Sequence, residues 1–344
     1  MQRCFELAKL GDGFVAPNPM VGAVLVHSDR IIGEGYHQHF GEAHAEVNCI
    51  NSVKENDKHL IPESTLYVSL EPCAHYGKTP PCADLIIKHK IPKVVISVQD
   101  NFHLVNGKGI ERLRDLSADK HGNNIKVITG ILEAEGKELL KHFLYFHQNK
   151  KPFITLKFAQ SKDGFIGIKG KEVVISNELS KRYVHKLRAE HQGILVGKKT
   201  VITDNPSLTV RYSNGKNPIR IILGNEDDFS KDLNIFNNKA ETIFLSTIDR
   251  QQSSVDKVLK ELYKKNIISV LVEGGANTMQ QFIDANEWNE AVVITSDKNL
   301  IQHSTFDIQH SIKAPIITGT LQHSFSLEDN TISVLKNPNA LSNS

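Results

Sequence analysis

The chain has little that would mark it for a membrane, a disulfide scaffold or a polyanion. No apolar run approaches the ~20 residues needed to cross a bilayer, and Met1 to Gly11 carries no long apolar core behind a basic start. The chain therefore reads as soluble and cytoplasmic, with no membrane partner. Four cysteines in 344 residues are too few to staple a protein of this length. The 41 basic and 39 acidic residues leave a net charge of +2, which gives no global field for nucleic acid. With aromatics at 7% and a single tryptophan, platforms for stacking bases are scarce as well. Nucleic acid is not expected, and any anion must be bound locally. No internal repeat or low-complexity block is visible.

What is present is an α/β pattern that occurs twice. In the first part, strand-like runs at Ala23 to Val26, Thr65 to Leu70 and Lys93 to Val98 alternate with helical periodicity at Ala45 to Val53 and Ala83 to His89. A helical stretch, Glu133 to Phe146, then gives way to the polar run Gln148 to Pro152. A boundary near residue 148 follows, with domains at 1–147 and 148–344, in keeping with a length beyond one usual domain. The second part alternates again. Its strand-like runs are Phe153 to Phe158, Ile194 to Val196, Ile219 to Leu223, Thr242 to Leu245, Ile268 to Val272 and Ala291 to Thr295. The small polar tail from Asn337 to Ser344 has nothing to bury and is expected to fray.

His44-Ala45-Glu46 stands at the start of a helix, Pro72-Cys73 follows a strand, and Cys82 comes after a loop. This resembles the nucleobase deaminase signature, in which a His and two Cys hold zinc, water fills the fourth position and a Glu two residues past the His shuttles protons without touching the metal. His44, Cys73 and Cys82 are thus the candidate ligands and Glu46 the candidate acid-base. Eight residues separate the cysteines where the general motif has two, but closure cost rises slowly with loop length and the loop's prolines limit its entropy. The plainer reading is a pair of inert buried thiols beside a helix-cap histidine. Cys4 and Cys49 lack such partners and read as small core residues. His37, His39 and His75 lie near the motif but off its spacing and read as surface groups or as supports around the ligands, with His75 the nearest substitute ligand.

Pro17-Asn18-Pro19-Met20-Val21-Gly22, Gly35-Tyr36-His37, His44-Ala45-Glu46, Leu70-Glu71-Pro72-Cys73 and Thr79-Pro80-Pro81-Cys82 resemble the riboflavin-pathway bifunctional deaminase-reductase family. The resemblance implies that Asn18 faces the pyrimidine ring, a task suited to an amide that both donates and accepts; the plainer reading is a turn Asn held between prolines. Lys78 reads equally as a contact for the substrate phosphate or as a solvated loop lysine.

In the second half no G-x-G-x-x-G occurs, which leaves a Rossmann dinucleotide site without support. Ile268 to Val272 followed by Glu273-Gly274-Gly275-Ala276 reads as strand, glycine turn and helix, a form that admits a phosphate at a helix N-terminus but that a tight turn also needs for itself. Further segments match the same family: Thr155 to Ala159 with Asp163-Gly164, Arg188, Thr200-Val201 with Asp204 to Arg211, Pro218 to Arg220, and Val272 to Gly275. The resemblance, which covers nearly the whole chain, implies a cytidine-deaminase-like three-layer domain followed by a dihydrofolate-reductase-like domain. Its implied cofactors are Zn2+ and NADPH, its substrate a phosphoribosyl pyrimidine, and its assembly a homo-oligomer. By the same resemblance Ala159, Thr200, Asp204 and Gly275 contact the cofactor, while Arg188, Leu208, Arg211 and Glu273 hold the substrate; guanidinium forks suit phosphate, with a surface ion pair as the plainer role for each Arg. Lys157 is a possible electrostatic helper.

Three places depart from the pattern: Val174 where an aromatic is expected, Gly224-Asn225 where an Asp usually ends the strand, and the stretch Asp297 to Ile308. They leave open a deaminase whose reductase half is inactive. Two rival functions also compete, a nucleic-acid base deaminase with an accessory domain and a structural zinc module. Balanced charge opposes the first, and a Glu beside a three-ligand set opposes the second.

Overall fold

The computed structural model describes residues 1–74, 80–100, 105–115, 125–169, 171, 173–246, 254–301 and 309–340. The chain divides into two compact units, Met1–Lys150 and Lys151–Ser344.

The first unit runs α1 (Gln2–Lys9), β1 (Gly22–His27), β2 (Arg30–Tyr36), α2 (Ala45–Asn51), β3 (Thr65–Leu70), α3 (Cys82–Lys88), β4 (Lys93–Val98), α4 (Lys108–Arg114), β5 (Lys126–Ile128), α5 (Glu133–Leu139) and α6 (Lys141–Asn149). Its sheet has the order β2-β1-β3-β4-β5, with β3, β4 and β5 parallel and β1 antiparallel to both of its neighbours. Strand residues alternate between faces. Ala23, Leu25, Leu66, Val68, Val94 and Ile96 therefore meet α2, α3 and α4 on one side. Val24 meets Cys4 and Leu7 of α1 on the other, and at the strand ends Leu70 and Val98 pack against Leu140 and Phe143. The result is a three-layer sandwich. The helix expected over Glu133 to Phe146 is two helices that meet at Leu140, whose backbone leaves helical geometry at φ −98° and ψ 7°. Its side chain, 1% exposed, is drawn into the core instead of continuing the helix.

The second unit contains β6 (Phe153–Gln160), β7 (Phe165–Ile168), α7 (Glu178–Glu190), β8 (Gly193–Gly197), α8 (Lys198–Asp204), β9 (Ile219–Leu223), β10 (Thr242–Leu245), α9 (Ser254–Lys264), β11 (Ser269–Val272), α10 (Ala276–Asp284), β12 (Glu290–Ser296), β13 (Ser311–Lys313), β14 (Thr320–Leu327) and β15 (Asn330–Lys336). Eight strands form one sheet in the order β10-β9-β8-β11-β6-β12-β15-β14, parallel from β10 to β12 and closed by the antiparallel hairpin β14–β15. Leu259 and Leu262 of α9 pack with Met279 and Phe282 of α10 against one face, and Val184 and Leu187 of α7 against the other. Parallel strands buried on both faces read as continuous apolar runs, which is why their sequences stand out.

The end of the chain differs from the expected frayed tail. Asn337 is 1% exposed, its Nδ2 donates to the Trp288 carbonyl at 2.8 Å, and its backbone N–H donates to the Asn289 carbonyl at 3.0 Å. One polar side chain thus pins the segment after β15, and of the expected tail residues 341–344 lie outside the described part.

Candidate active sites

In the first unit the site forms where β3 ends and two helices begin. His44 occupies the N-cap of α2 but its ring makes no capping hydrogen bond, so the helix-cap reading fails and the imidazole is free to face the thiols. Its Nδ1 lies 3.6 Å from the Cys73 sulfur and 3.4 Å from the Cys82 sulfur, and all three ligand atoms fall within 4.8 Å of one another. A tetrahedral zinc with ordinary Zn–N and Zn–S bonds requires nitrogen–sulfur edges of about 3.6 Å. The set therefore fits zinc and leaves one corner for water. Cys82 opens α3, and its backbone N–H donates to the Cys73 sulfur at 3.4 Å. Hydrogen bonding from Cys82 and from His44 draws the Cys73 thiol down to about 4, against its burial. Glu46, one residue inside α2 and 3% exposed, is pushed up to about 7 by burial and by the neighbouring Cys73 charge. A carboxyl poised there can both take and return a proton near neutral pH.

Asn18 and His37 come together beside this set. The Asn18 Nδ2 donates to His37 Nε2 at 3.1 Å, and His37 Nδ1 donates to the Ala43 carbonyl at 3.0 Å. His37 is 3% exposed, and its ring stands edge-on to His44 with centroids 5.6 Å apart. The sequence left His37 as either a surface group or a support near the ligands; its burial and its hydrogen bond with the Asn18 amide were not readable from spacing. His75 and Lys78 lie outside the described residues.

In the second unit Glu273 and Gly275 follow the carboxyl end of β11, Thr200 follows that of β8 and Ala159 is near that of β6, the side on which ligands bind in open α/β sheets. Arg188, on the last turn of α7, forms a fork with Glu273 just past β11: Nε to Oε1 and Nη2 to Oε2, both 2.8 Å. Its Nη1 donates to the Thr209 carbonyl at 3.1 Å. Lys157 on β6 places its ammonium 3.9 Å from the same carboxylate. Burial would raise the Glu273 carboxyl, but the charges of Arg188 and Lys157 overcome it and hold it at about 2. Burial lowers the Lys157 ammonium. His185, one helical turn before Arg188, accepts the Arg211 backbone N–H at 3.0 Å; burial, with Arg188 and Arg211 nearby, pushes it down to about 4.

The cofactor set is assembled in part. The Gly275 N–H, at the N-cap of α10, donates to Thr200 Oγ1 at 2.9 Å. Gly274 is a packing requirement, since a Cβ there would lie 2.7 Å from the Gly197 nitrogen. Ala159 sits near the end of β6, paired with Ile294 of β12, and Asp204 ends α8 facing solvent. Leu208, expected to help hold the substrate, has its side chain turned into the core. It is 3% exposed within a core containing Ile194, Val196 and Ile222, at φ 52°, so only its backbone remains to meet a ligand. Arg211 is exposed, and its guanidinium lies 5.8 Å from the Tyr212 ring centroid. Val174, at 73% exposure, stands on the rim of a cleft of about 170 Å³ lined by Ser161, Ser296 and Lys298 at the ends of β6 and β12. Of the other departures, Asn225 caps a short turn, Glu226–Asp228, and Asp163 accepts the Leu300 and Ile301 N–H groups at 2.9 and 3.0 Å. Residues 302–308 lie outside the described part.

Comparison with known proteins agrees with this geometry. Residues 1–98 match the cytidine and deoxycytidylate deaminase zinc-binding region, and residues 152–300 match the RibD C-terminal domain. The riboflavin biosynthesis protein RibD of Aquifex aeolicus is 36% identical over 317 residues, covering 87% of this chain and 86% of that protein. The chain belongs to the RibD family. The Escherichia coli RibD is 33% identical, with 87% of each chain covered. A Thermotoga maritima structure described as a diaminohydroxyphosphoribosylaminopyrimidine deaminase/5-amino-6-(5-phosphoribosylamino)uracil reductase superposes with a TM-score of 0.83 at 35% identity, covering 98% of this chain. As a RibD protein, the chain is a bifunctional enzyme of riboflavin biosynthesis, a hydrolytic deaminase joined to an oxidoreductase acting on a small molecule. Its two units are a cytidine-deaminase-like domain and a RibD reductase domain. Among the described residues, no helix is long and apolar enough to cross a membrane.

Proposed function

We propose that residues 1–147 deaminate a 2,5-diamino-6-(5-phosphoribosylamino)pyrimidinone and that residues 148–344 then reduce the ribosyl unit of the product to ribityl with NADPH. The observation that carries the first step is the triangle of His44, Cys73 and Cys82 with buried Glu46 beside it. Zinc in that triangle supplies the Lewis acidity that makes water nucleophilic near neutral pH. Glu46 takes one proton from the attacking water and passes it to the ring nitrogen, then takes the remaining hydroxyl proton of the addition product and delivers it to the amine, which leaves as ammonia while the ring carbonyl forms. Its raised pKa lets the carboxyl hold that proton between transfers. Asn18, aimed by His37, donates and accepts along the edge of the pyrimidine.

For the second step, the fork of Arg188 and Glu273 with Lys157 alongside forms a rigid, charged floor at the strand ends, near which the phosphoribosyl group is held with help from Arg211 and the Leu208 backbone. The Thr200–Gly275 contact at the start of α10 is the seat for the cofactor, flanked by Ala159 and Asp204. NADPH supplies the hydride, and the protein orients the reacting pair. The test is to incubate the pure protein with the diaminopyrimidine substrate, with and without NADPH. Ammonia release independent of nicotinamide, followed by NADPH oxidation faster than NADH oxidation, is expected. Absence of ammonia release by zinc-loaded protein overturns the first assignment, and equal rates with both nicotinamides overturn the second.

A further inference from the structure

Glu71 is a buried carboxylate that neither reaction uses. It follows β3, precedes Pro72-Cys73, and is 4% exposed. Burying a carboxylate is costly unless its oxygens are satisfied. Here four backbone N–H groups satisfy them: Gly109 at 2.8 Å and Ile110 at 3.2 Å on Oε1, Asp100 and Gly107 each at 3.1 Å on Oε2. All four donors are main-chain groups of the segment that leaves β4 and enters α4, so one residue at the end of β3 ties down both ends of the neighbouring connection. Glu71 is itself held, its N–H donating to the Val98 carbonyl at 2.9 Å.

The segment so captured touches both cysteine-bearing stretches. Gly109 is seated directly on Pro72, where a Cβ would fall 1.9 Å from the Pro72 carbonyl oxygen. Farther along α4, Arg112 Nε donates to Asp84 at 3.0 Å, on the helix that Cys82 opens. α4 therefore spans from the residue before Cys73 to the residue two beyond Cys82. Surface pairs such as Arg112 with Asp84 contribute little, so the firm end of this strut is the charge-assisted bonding to Glu71.

We propose that Glu71 is a positioning residue for the metal centre: it fixes α4 as a strut against Pro72 and so keeps the Cys73 sulfur in register with Cys82 and His44. The inference rests on the zinc reading of that triangle, and partners that orient metal ligands typically change metal affinity by about 10- to 100-fold when removed. Glu71→Gln keeps the shape but turns an amide NH2 toward two N–H donors. In the intact chain, at a temperature where the variant is folded, zinc release to a chromogenic chelator should be at least ~10-fold faster than in the parent. The visible d–d bands of the cobalt-substituted variant should shift as well. Ser97→Ala, which removes the 3.1 Å bond from Ser97 Oγ to the Leu132 carbonyl in the same unit, should leave release unchanged. Parental release from Glu71→Gln, or equally fast release from Ser97→Ala, overturns the proposal.

Should Glu71→Gln fail to fold, the parent decides. Coupling between two sites is reciprocal, so removing zinc should speed hydrogen exchange at the Asp100, Gly107, Gly109 and Ile110 amides by about tenfold relative to the amides of β1. Unchanged exchange overturns the proposal. A parent that takes up no zinc overturns the metal reading itself and is seen before any variant is made.

Discussion

Replacing Glu273 by Gln removes one negative charge from between two buried cations, and the cost can be worked from the structure. The Glu273 side chain is 8% exposed, with Arg188 at 13% and Lys157 at 14%. Its pKa falls from an ordinary 4.5 to about 2 in the fold. At ~1.4 kcal/mol per unit this is about 3 kcal/mol, and the usual cost of orphaning a buried partner, about 3–5 kcal/mol, agrees. For a unit of this size about 1 kcal/mol moves Tm by ~2–4 °C, so the second unit should melt about 6–12 °C lower in Glu273→Gln. Differential scanning calorimetry of the zinc-loaded chain is the assay, with zinc content expected to stay at the parental level. The sign of the pH dependence follows from the same shift. A carboxyl whose folded pKa is depressed contributes its stability above 4.5 and loses it as pH falls toward 2. The parent's second unit should therefore lose stability through that window and the Gln variant should lose less. A variant melting within a degree of the parent, or an unchanged acid limb, would refute the account of the Arg188–Glu273–Lys157 cluster.

Three further outcomes are expected. Glu46→Gln should keep its zinc while deamination falls at least ~10²-fold, measured as ammonia release against metal content; full activity would remove Glu46 from the proton path. Cys73→Ser and Cys82→Ser should each lower zinc content by elemental analysis, whereas Cys49→Ser, buried in the core away from the triangle, should not. Arg211→Ala should slow NADPH oxidation and leave ammonia release near normal; loss of ammonia release in folded, zinc-loaded protein would call for a shared site in place of two.

The sequence was legible where burial is simple. Strands such as Thr65–Leu70, Lys93–Val98 and Ile219–Leu223 are short runs dominated by apolar residues, and their limits in the fold are those of the pattern. The hairpin β14–β15 was not, because most of β14 is solvent-exposed and carries no apolar run to mark it. The candidate metal ligands could be singled out because zinc chemistry restricts residue type, and a His two residues before a Glu with two later cysteines is a restrictive combination. His37 and Glu71 could not be found that way, since each acts through groups that sequence does not index: an amide aimed by an imidazole, and four main-chain N–H groups converging on one carboxylate. Leu208 shows the converse. A motif match selects the residue, but the match does not show its positive φ or that its side chain is buried in the core.

The closing hairpin also sets where this enzyme can be cut. The match to the RibD C-terminal domain stops at residue 300, yet β15 covers the full length of β12, from Glu290↔Lys336 to Ser296↔Asn330. Ile332 and Val334 fill the core beneath α7. A fragment ending where that match ends would leave β12, a strand built for the interior, as a bare apolar edge, and such edges recruit other chains. Expression of the reductase half alone should therefore yield soluble protein when the fragment runs through Asn337 and aggregate when it stops near residue 300.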